Sequence, residues 1–238
     1  MKVWLYILVL LMVTAAPALA VKLPIFEGLV EPRELVSFSS QVPGILSEVN
    51  VERGDKVKRG DILAHLKSGV EKAAVHVAEA RVEFGKRKAL RNEELYKKKL
   101  ISVHEKDELE TEIHLAELQL AEVREQLALR TIKSTIDGVV VERLGAPGEY
   151  VGEHPFLKIA QIDPLNVEIV VPFVHFGAIK EGMKATVHLG EPVAKQYVAK
   201  VVVVDMVIDA ASGTFRVRLE LPNPQLNLPS GMRCQVEF

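Results

Sequence analysis

Between Pro43 and Pro147 the chain carries no proline, and from residue 70 to residue 131 its only glycine is Gly85. A stretch of that length without the residues that stop helices is expected to be helical almost throughout. From Leu109 the apolar residues Leu109, Ile113, Ala116, Leu120, Val123 and Leu127 recur in alternating steps of four and three, the spacing of a seam that faces one partner. In the earlier arm Val70, Ala73, Val77, Ala80 and Phe84 keep the same spacing and are expected to supply the facing seam. Between the arms sits Lys99-Leu100-Ile101-Ser102, and Ser102 with Glu105 three residues on has the form of a capping box that opens a new helix. Two helices joined by a short turn run antiparallel, so residues 70–131 read as a coiled-coil hairpin whose arms, at ~1.5 Å per residue, reach roughly 45 Å. The alternative is an ordinary helical pair packed on a globular core. The outer faces, densely charged with both signs, favour a seam that needs a single partner.

On either side of this stretch lie two related segments. Gly44-Ile45-Leu46-Ser47-Glu48 matches Gly138-Val139-Val140-Val141-Glu142, Gly54-Asp55-Lys56-Val57 matches Gly148-Glu149-Tyr150-Val151, and Leu63 falls opposite Leu157, all at one offset. Short β-branched runs punctuated by glycine predict brief strands and turns in each copy. Neither half can bury a core alone, so the two are expected to pair with the helical stretch emerging between them. Residues 163–238 alternate β-rich runs (Val167–Val171, Ala185–Leu189, Tyr197–Val204, Thr214–Leu221) with turn residues, and predict a small barrel of about six strands.

Composition bounds the function. With 30 Lys+Arg against 32 Asp+Glu there is no basic field to gather nucleic-acid phosphates, and 48% apolar residues exclude a disordered chain. The single cysteine, Cys234, makes neither an internal disulfide nor a thiolate metal cage. At the start, Lys2, the apolar run Val3–Val13 and the small-residue end Ala18-Leu19-Ala20 read as a secretory signal peptide with cleavage after Ala20. A retained membrane anchor is the other reading, but the uninterrupted run falls short of the ~20 residues that a bilayer core needs. The expected compartment is therefore outside the cytoplasm.

Together, the two β segments resemble the halves of a biotinyl/lipoyl-like fold split by a helical hairpin, an arrangement similar to the periplasmic adaptors of bacterial tripartite efflux pumps, the HlyD-like membrane fusion proteins. The C-terminal block carries landmarks of that family's barrel in Lys180-Glu181-Gly182-Met183, Asp209, Ser212-Gly213-Thr214-Phe215-Arg216, Asn223 and Leu228-Pro229-Ser230-Gly231-Met232. The resemblance implies an elongated α+β chain divided as signal peptide 1–20, an N-terminal segment 21–36 lending a strand to the barrel, lipoyl-like half 37–69, α-helical hairpin 70–131, lipoyl-like half 132–162 and β-barrel 163–238. It also implies that Arg91, Leu95 and Ser102, at the family's spacing before the turn, meet a TolC-like outer-membrane channel. The expected inner-membrane partner is a resistance-nodulation-division (RND) transporter, with an ABC-type or type I export system as the alternative, and the implied assembly is a ring of six copies in the periplasm. Family members of greater length continue past the barrel into a further membrane-proximal domain.

Other candidates are weaker. Arg91, Leu95 and Ser102 also have plain explanations, as a surface arginine, a seam leucine and a cap; Lys97, Lys98 and Lys99 read as solvated charges. Lys67 ends the first half but runs into a helix instead of a tight turn, so swinging-arm chemistry is not expected and no cofactor is implied. His104 with Glu108 and Glu110 with His114 have i,i+4 spacing, two ligands where a metal wants three or four. Met183, Met206 and Met232 read as core filling. No nucleophile with a base and no phosphate-cradling glycine loop stands out, so an enzyme is not expected. The competing class is a soluble periplasmic module that captures a ligand in the barrel or in the groove between the halves.

Overall fold

The computed structural model describes residues 23–191 and 193–238. The expected signal segment and its cleavage point lie outside the described residues. In chain order the elements are β1 (Phe26–Phe38), β2 (Gly44–Val49), β3 (Lys56–Val57), β4 (Ile62–Leu66), α1 (Gly69–Lys97), α2 (Val103–Ala128), β5 (Thr131–Lys133), β6 (Gly138–Arg143), β7 (Tyr150–Val151) and β8 (Leu157–Pro172). A 3-10 turn at Phe173–His175 then leads to β9 (Lys184–Leu189), β10 (Gln196–Val204), β11 (Thr214–Leu221) and β12 (Arg233–Glu237).

The two repeated segments fold into the same strands and exchange their edges. β2 pairs with β7 and β3 with β6, so each copy is completed by the other. The exchange obeys a local twofold down to single hydrogen bonds: the Gly54 N–H donates to the Val140 carbonyl (2.9 Å), and its repeat mate, the Gly148 N–H, donates to the Leu46 carbonyl (2.8 Å). Both glycines sit at positive φ, +96° and +94°, where a side chain would be strained. Inward-facing residues from both copies, among them Leu46, Val57, Leu63, Val140, Val151 and Leu157, close one core with Phe156 and Ile159. Each such fully buried aliphatic side chain contributes about 1.5–3 kcal/mol over leaving it in water.

Strands β1, β12, β9, β10, β11 and β8 follow one another around a ring, and the β1–β8 pairing closes it into a six-stranded barrel without free edges. Strands β1 and β8 are long enough to run from the barrel into the exchanged unit; their register carries Gly28↔Ile169 at one end and Phe38↔Leu157 at the other. Asn223 is a buried polar bracket beside them. Its Nδ2 donates to the carbonyls of Ile162 (2.9 Å) and Leu228 (3.0 Å), and its Oδ1 accepts from the Leu228 N–H (3.1 Å) and the Asn227 N–H (3.2 Å), so it buries without an orphaned group.

Helices α1 and α2 leave from β4 and return to β5, its neighbour in a small sheet, and pack on one another rather than on either β unit. The cross-pairs Glu71–Arg130 (2.6 Å), Glu79–Arg124 (2.7 Å), Lys86–Glu117 (2.6 Å) and Lys88–Glu112 (3.1 Å) show that they run antiparallel. On α2 the buried or half-buried apolar positions are the expected ones, Leu109, Ile113, Ala116, Leu120, Val123 and Leu127. On α1 the expected seam is corrected. Val70, Val77 and Phe84 are 80%, 71% and 54% exposed, and the packed residues are Val75, Ala78, Val82 and Gly85, continuing through half-buried Ala89, Asn92 and Tyr96. The physical reason is close approach. A Cβ on Gly85 would come within 3.0 Å of Ile113 Cγ1, so the face with small residues is the one that lets α2 in. A second correction concerns Met206, which is 80% exposed between β10 and β11, whereas Met183 and Met232 pack on the barrel core.

Candidate functional site

The turn between the helices is built by two complementary end signals. Helix α1 stops in a Schellman arrangement: the Leu100 N–H donates to the Leu95 carbonyl (2.9 Å) and the Lys99 N–H to the Tyr96 carbonyl (2.8 Å). The residue in the left-handed position is Lys99, φ +58°, where glycine is the unstrained choice. Helix α2 opens on the capping box expected from the sequence. Ser102 Oγ accepts from the Glu105 N–H (3.2 Å), and Glu105 Oε2 accepts from the Ser102 N–H (2.7 Å). These donors, first the Ser102 backbone and then its hydroxyl, hold the Glu105 carboxyl below its ordinary range. Lys106, one residue on, places its Nζ 5.1 Å from the centre of the Tyr96 ring and so braces the start of α2 against the end of α1.

This frame presents the three residues singled out by sequence on one end of the helix pair. Arg91 and Leu95 stand one turn apart on α1, both exposed, and among the described residues Arg91 has no ion-pair partner. Ser102 is exposed on the far side of the turn, but its hydroxyl is already engaged with Glu105, donating to Oε2 at 2.9 Å. Ser102 therefore shapes the turn and offers a partner only the remaining capacity of its oxygen. Sequence reasoning missed two residues here. Leu100, 67% exposed, and Val103 extend the apolar surface of Leu95 around the tip. Periodicity could not find them, because they sit where the helical period is interrupted; the signal was two aliphatics flanking a cap.

Chemically the tip is an apolar knob ringed by cations. From Leu90 to Val103 the chain has Arg91, Lys97, Lys98 and Lys99 against Glu93 and Glu94. Lys97 is tied to Glu93 (2.9 Å), and this hydrogen bond lowers the Glu93 carboxyl. What remains suits docking by hydrophobic contact with a guanidinium fork for carboxylate or carbonyl oxygens. At the other end of the pair, Arg130 fixes the base: its Nη2 meets Glu71 at 2.6 Å and its Nη1 donates to the Pro43 carbonyl at 3.0 Å, linking α1, the end of α2 and the β unit.

Elsewhere, an open groove of about 900 Å³ on the outside of the barrel is lined by Glu27, Leu29, Glu168, Arg216, Arg218 and Arg233, with Arg218 paired to Glu168. It is an open surface groove of mixed polar and apolar lining rather than an enclosure of the kind that small ligands occupy. Among the described residues no group of three or more His, Cys, Asp or Glu could hold a metal ion, and no helix is long and apolar enough to cross a membrane.

Comparison with known proteins places the β units. Residues 34–160 match the family model described as the CzcB-like barrel-sandwich hybrid domain, and residues 165–238 match the CusB-like beta-barrel domain. The multidrug resistance protein MdtA of Xenorhabdus bovienii is 24% identical over 221 residues, covering 82% of this chain and 53% of its own length. An uncharacterized protein of Haemophilus influenzae is 22% identical over 208 residues, covering 86% of this chain and 54% of its own. The chain thus spans about half the length of the curated relatives it matches. Among solved structures, a MacA–MexA chimeric protein containing the Pseudomonas aeruginosa MexA alpha-hairpin domain aligns with a TM-score of 0.76 at 22% identity, over 90% of this chain and 80% of the other.

Proposed function

The chain belongs to the membrane fusion protein family, the periplasmic adaptors of efflux pumps, and from that membership we propose that it bridges an inner-membrane transporter and an outer-membrane exit channel. One observation carries the reading. The chain leaves the exchanged β unit from β4 and re-enters it at the adjacent β5, so everything between is an inserted stave with a shaped tip. In this reading α1 and α2 act as a coiled-coil hairpin. Over 29 and 26 residues they span about 44 and 39 Å at ~1.5 Å per residue.

The hairpin tip, through Arg91, Leu95 and Ser102, meets a TolC-like channel, and Leu100 and Val103 add apolar area to that contact. The barrel end serves an RND-type transporter, which selects the small molecule exported. A protein in this role works in the periplasm, reached through its N-terminal signal peptide, and assembles as a ring, six copies by the family pattern. Many weak tip contacts then act as one through multivalency. Arg91→Asp tests the reading in the native host: it should abolish pump-dependent drug resistance at an unchanged protein level. Full resistance in that variant removes the tip assignment.

A further inference from the structure

The helix pair joins the exchanged β unit through two short links, residues 67–68 and 129–130. Both links are hydrogen-bonded where they leave the small sheet: the Lys67 N–H donates to the Ile45 carbonyl and the Leu66 N–H to the Arg130 carbonyl, each at 2.8 Å. Bonds at that single level act as a pivot. Holding a direction needs a tie from the helices to a separate part of the β unit, and the start of α1 supplies none, because Ser68 at its N-cap makes no side-chain hydrogen bond. The lever is long. With α1 about 44 Å in length at ~1.5 Å per residue, a tilt of about 10° at the root carries the tip about 8 Å.

We propose that Arg130 is the clasp that fixes the direction in which the helix pair leaves the β unit. Its guanidinium ties three parts of the chain. Nη2 binds Glu71 in the first turn of α1 (2.6 Å), Nη1 donates to the Pro43 carbonyl at the entry to β2 (3.0 Å), and the residue itself stands between α2 and β5. Among the described residues no other side-chain hydrogen bond or ion pair joins the helix pair to the β unit. The site is also sheltered. Arg130 and Glu71 are 22% and 18% exposed, whereas the cross-pairs further along, Glu79–Arg124, Lys86–Glu117 and Lys88–Glu112, lie more open to water and to screening by salt. A planar fork suits the task, since one guanidinium serves a carboxylate and a carbonyl in different directions at once. Gly44 belongs to the same device. A Cβ there would lie 2.8 Å from Arg130 Nη1, so the missing side chain is the seat that the guanidinium occupies. The inference concerns the isolated chain and stands apart from the contact proposed for the tip.

The test is the distance between two nitroxide labels on the full chain, read by double electron–electron resonance in a Cys234→Ala background, which removes the native thiol. One label is carried by Glu94→Cys near the end of α1 and the other by Ser37→Cys on β1, both at exposed positions. The parent is expected to give one narrow distribution. Arg130→Ala and Gly44→Ala should each broaden it by about 5 Å or more, the reach of a tilt of about 7° on this lever. Gly44→Ala displaces the guanidinium from Pro43 while Glu71 keeps its partner, so its broadening reports the tie to the β unit and not a lost ion pair. Arg124→Ala, which removes the pair with Glu79 part-way along the helices, should leave the distribution narrow. A broad distribution in the parent, one as narrow as the parent's in Gly44→Ala or Arg130→Ala, or equal broadening in Arg124→Ala overturns the proposal. Where Arg130→Ala loses helical circular dichroism, Gly44→Ala decides alone.

Discussion

Gly138 and Gly44 are repeat mates, yet adding a methyl group to each should have different consequences. At Gly138 a Cβ would press on the Ala160 carbonyl oxygen and lie 2.9 Å from Ile159 Cγ2. These atoms belong to β8, the strand paired with β6 through Val139↔Ala160 and Val140↔Ile159. Relief requires prising β6 from β8, which costs about 1–3 kcal/mol of overpacking strain and about 1 kcal/mol for each ladder bond lost. Reduced freedom in the unfolded chain returns about 0.4–1 kcal/mol, so Gly138→Ala should destabilise by about 3 kcal/mol. At Gly44 the nearest atom is Arg130 Nη1, 2.8 Å away, the far end of a flexible side chain. Swinging it aside forfeits the bond to the Pro43 carbonyl, about 1 kcal/mol, and the same unfolded-state gain nearly offsets that. Thermal unfolding followed by circular dichroism should place Gly138→Ala roughly 6–12 °C below the parent, with Gly44→Ala within about 3 °C. Equal shifts in the two variants would refute the reasoning, because they would mean that β6 does not approach β8 as closely as the Gly138 contacts require.

Two further outcomes follow from the helix pair. Leu120→Ala empties a buried seam position and should cost about 2–4 kcal/mol, while Phe84→Ala in dilute protein should stay within about 0.5 kcal/mol; urea unfolding of both variants reads the contrast, and the reverse order would restore the original seam. The Glu105 carboxyl is held below its usual value in the folded chain, so its contribution to the cap is present above the ordinary carboxylate range and is lost as pH falls through the lowered value. The protection of the amides in the first turn of α2, taken relative to their intrinsic exchange rates, should fall on acidification, measured against Glu105→Gln, which should show no such step.

What the sequence made legible depended on how local the deciding interaction is. The capping box at Ser102 and Glu105 is made by neighbours in the chain and stood out at once. The two β halves were legible because a repeat announces itself twice, although the strand exchange behind it, β2 with β7 and β3 with β6, is a long-range choice. The α1 seam was misread because both faces of that helix satisfy the same spacing. The choice between them belongs to the partner helix: Ile113 needs the room that Gly85, the one glycine of residues 70–131, leaves. Met206 was misplaced for a similar reason, since composition does not say whether a methionine between two strands turns inward or outward. At the tip, Arg91 and Leu95 were found by spacing, whereas Leu100 and Val103 became visible once the Schellman turn and the cap fixed where the two helices end.

Contact between the far end of the helix pair and an outer-membrane channel, as proposed, is tested by site-specific crosslinking in the native host from Ser102→Cys, with Val174→Cys at the opposite, barrel end as the reference. A covalent product with an outer-membrane channel subunit is expected from position 102 and none from position 174. A channel product from position 174 alone, or products from position 102 that contain only inner-membrane proteins, would contradict it.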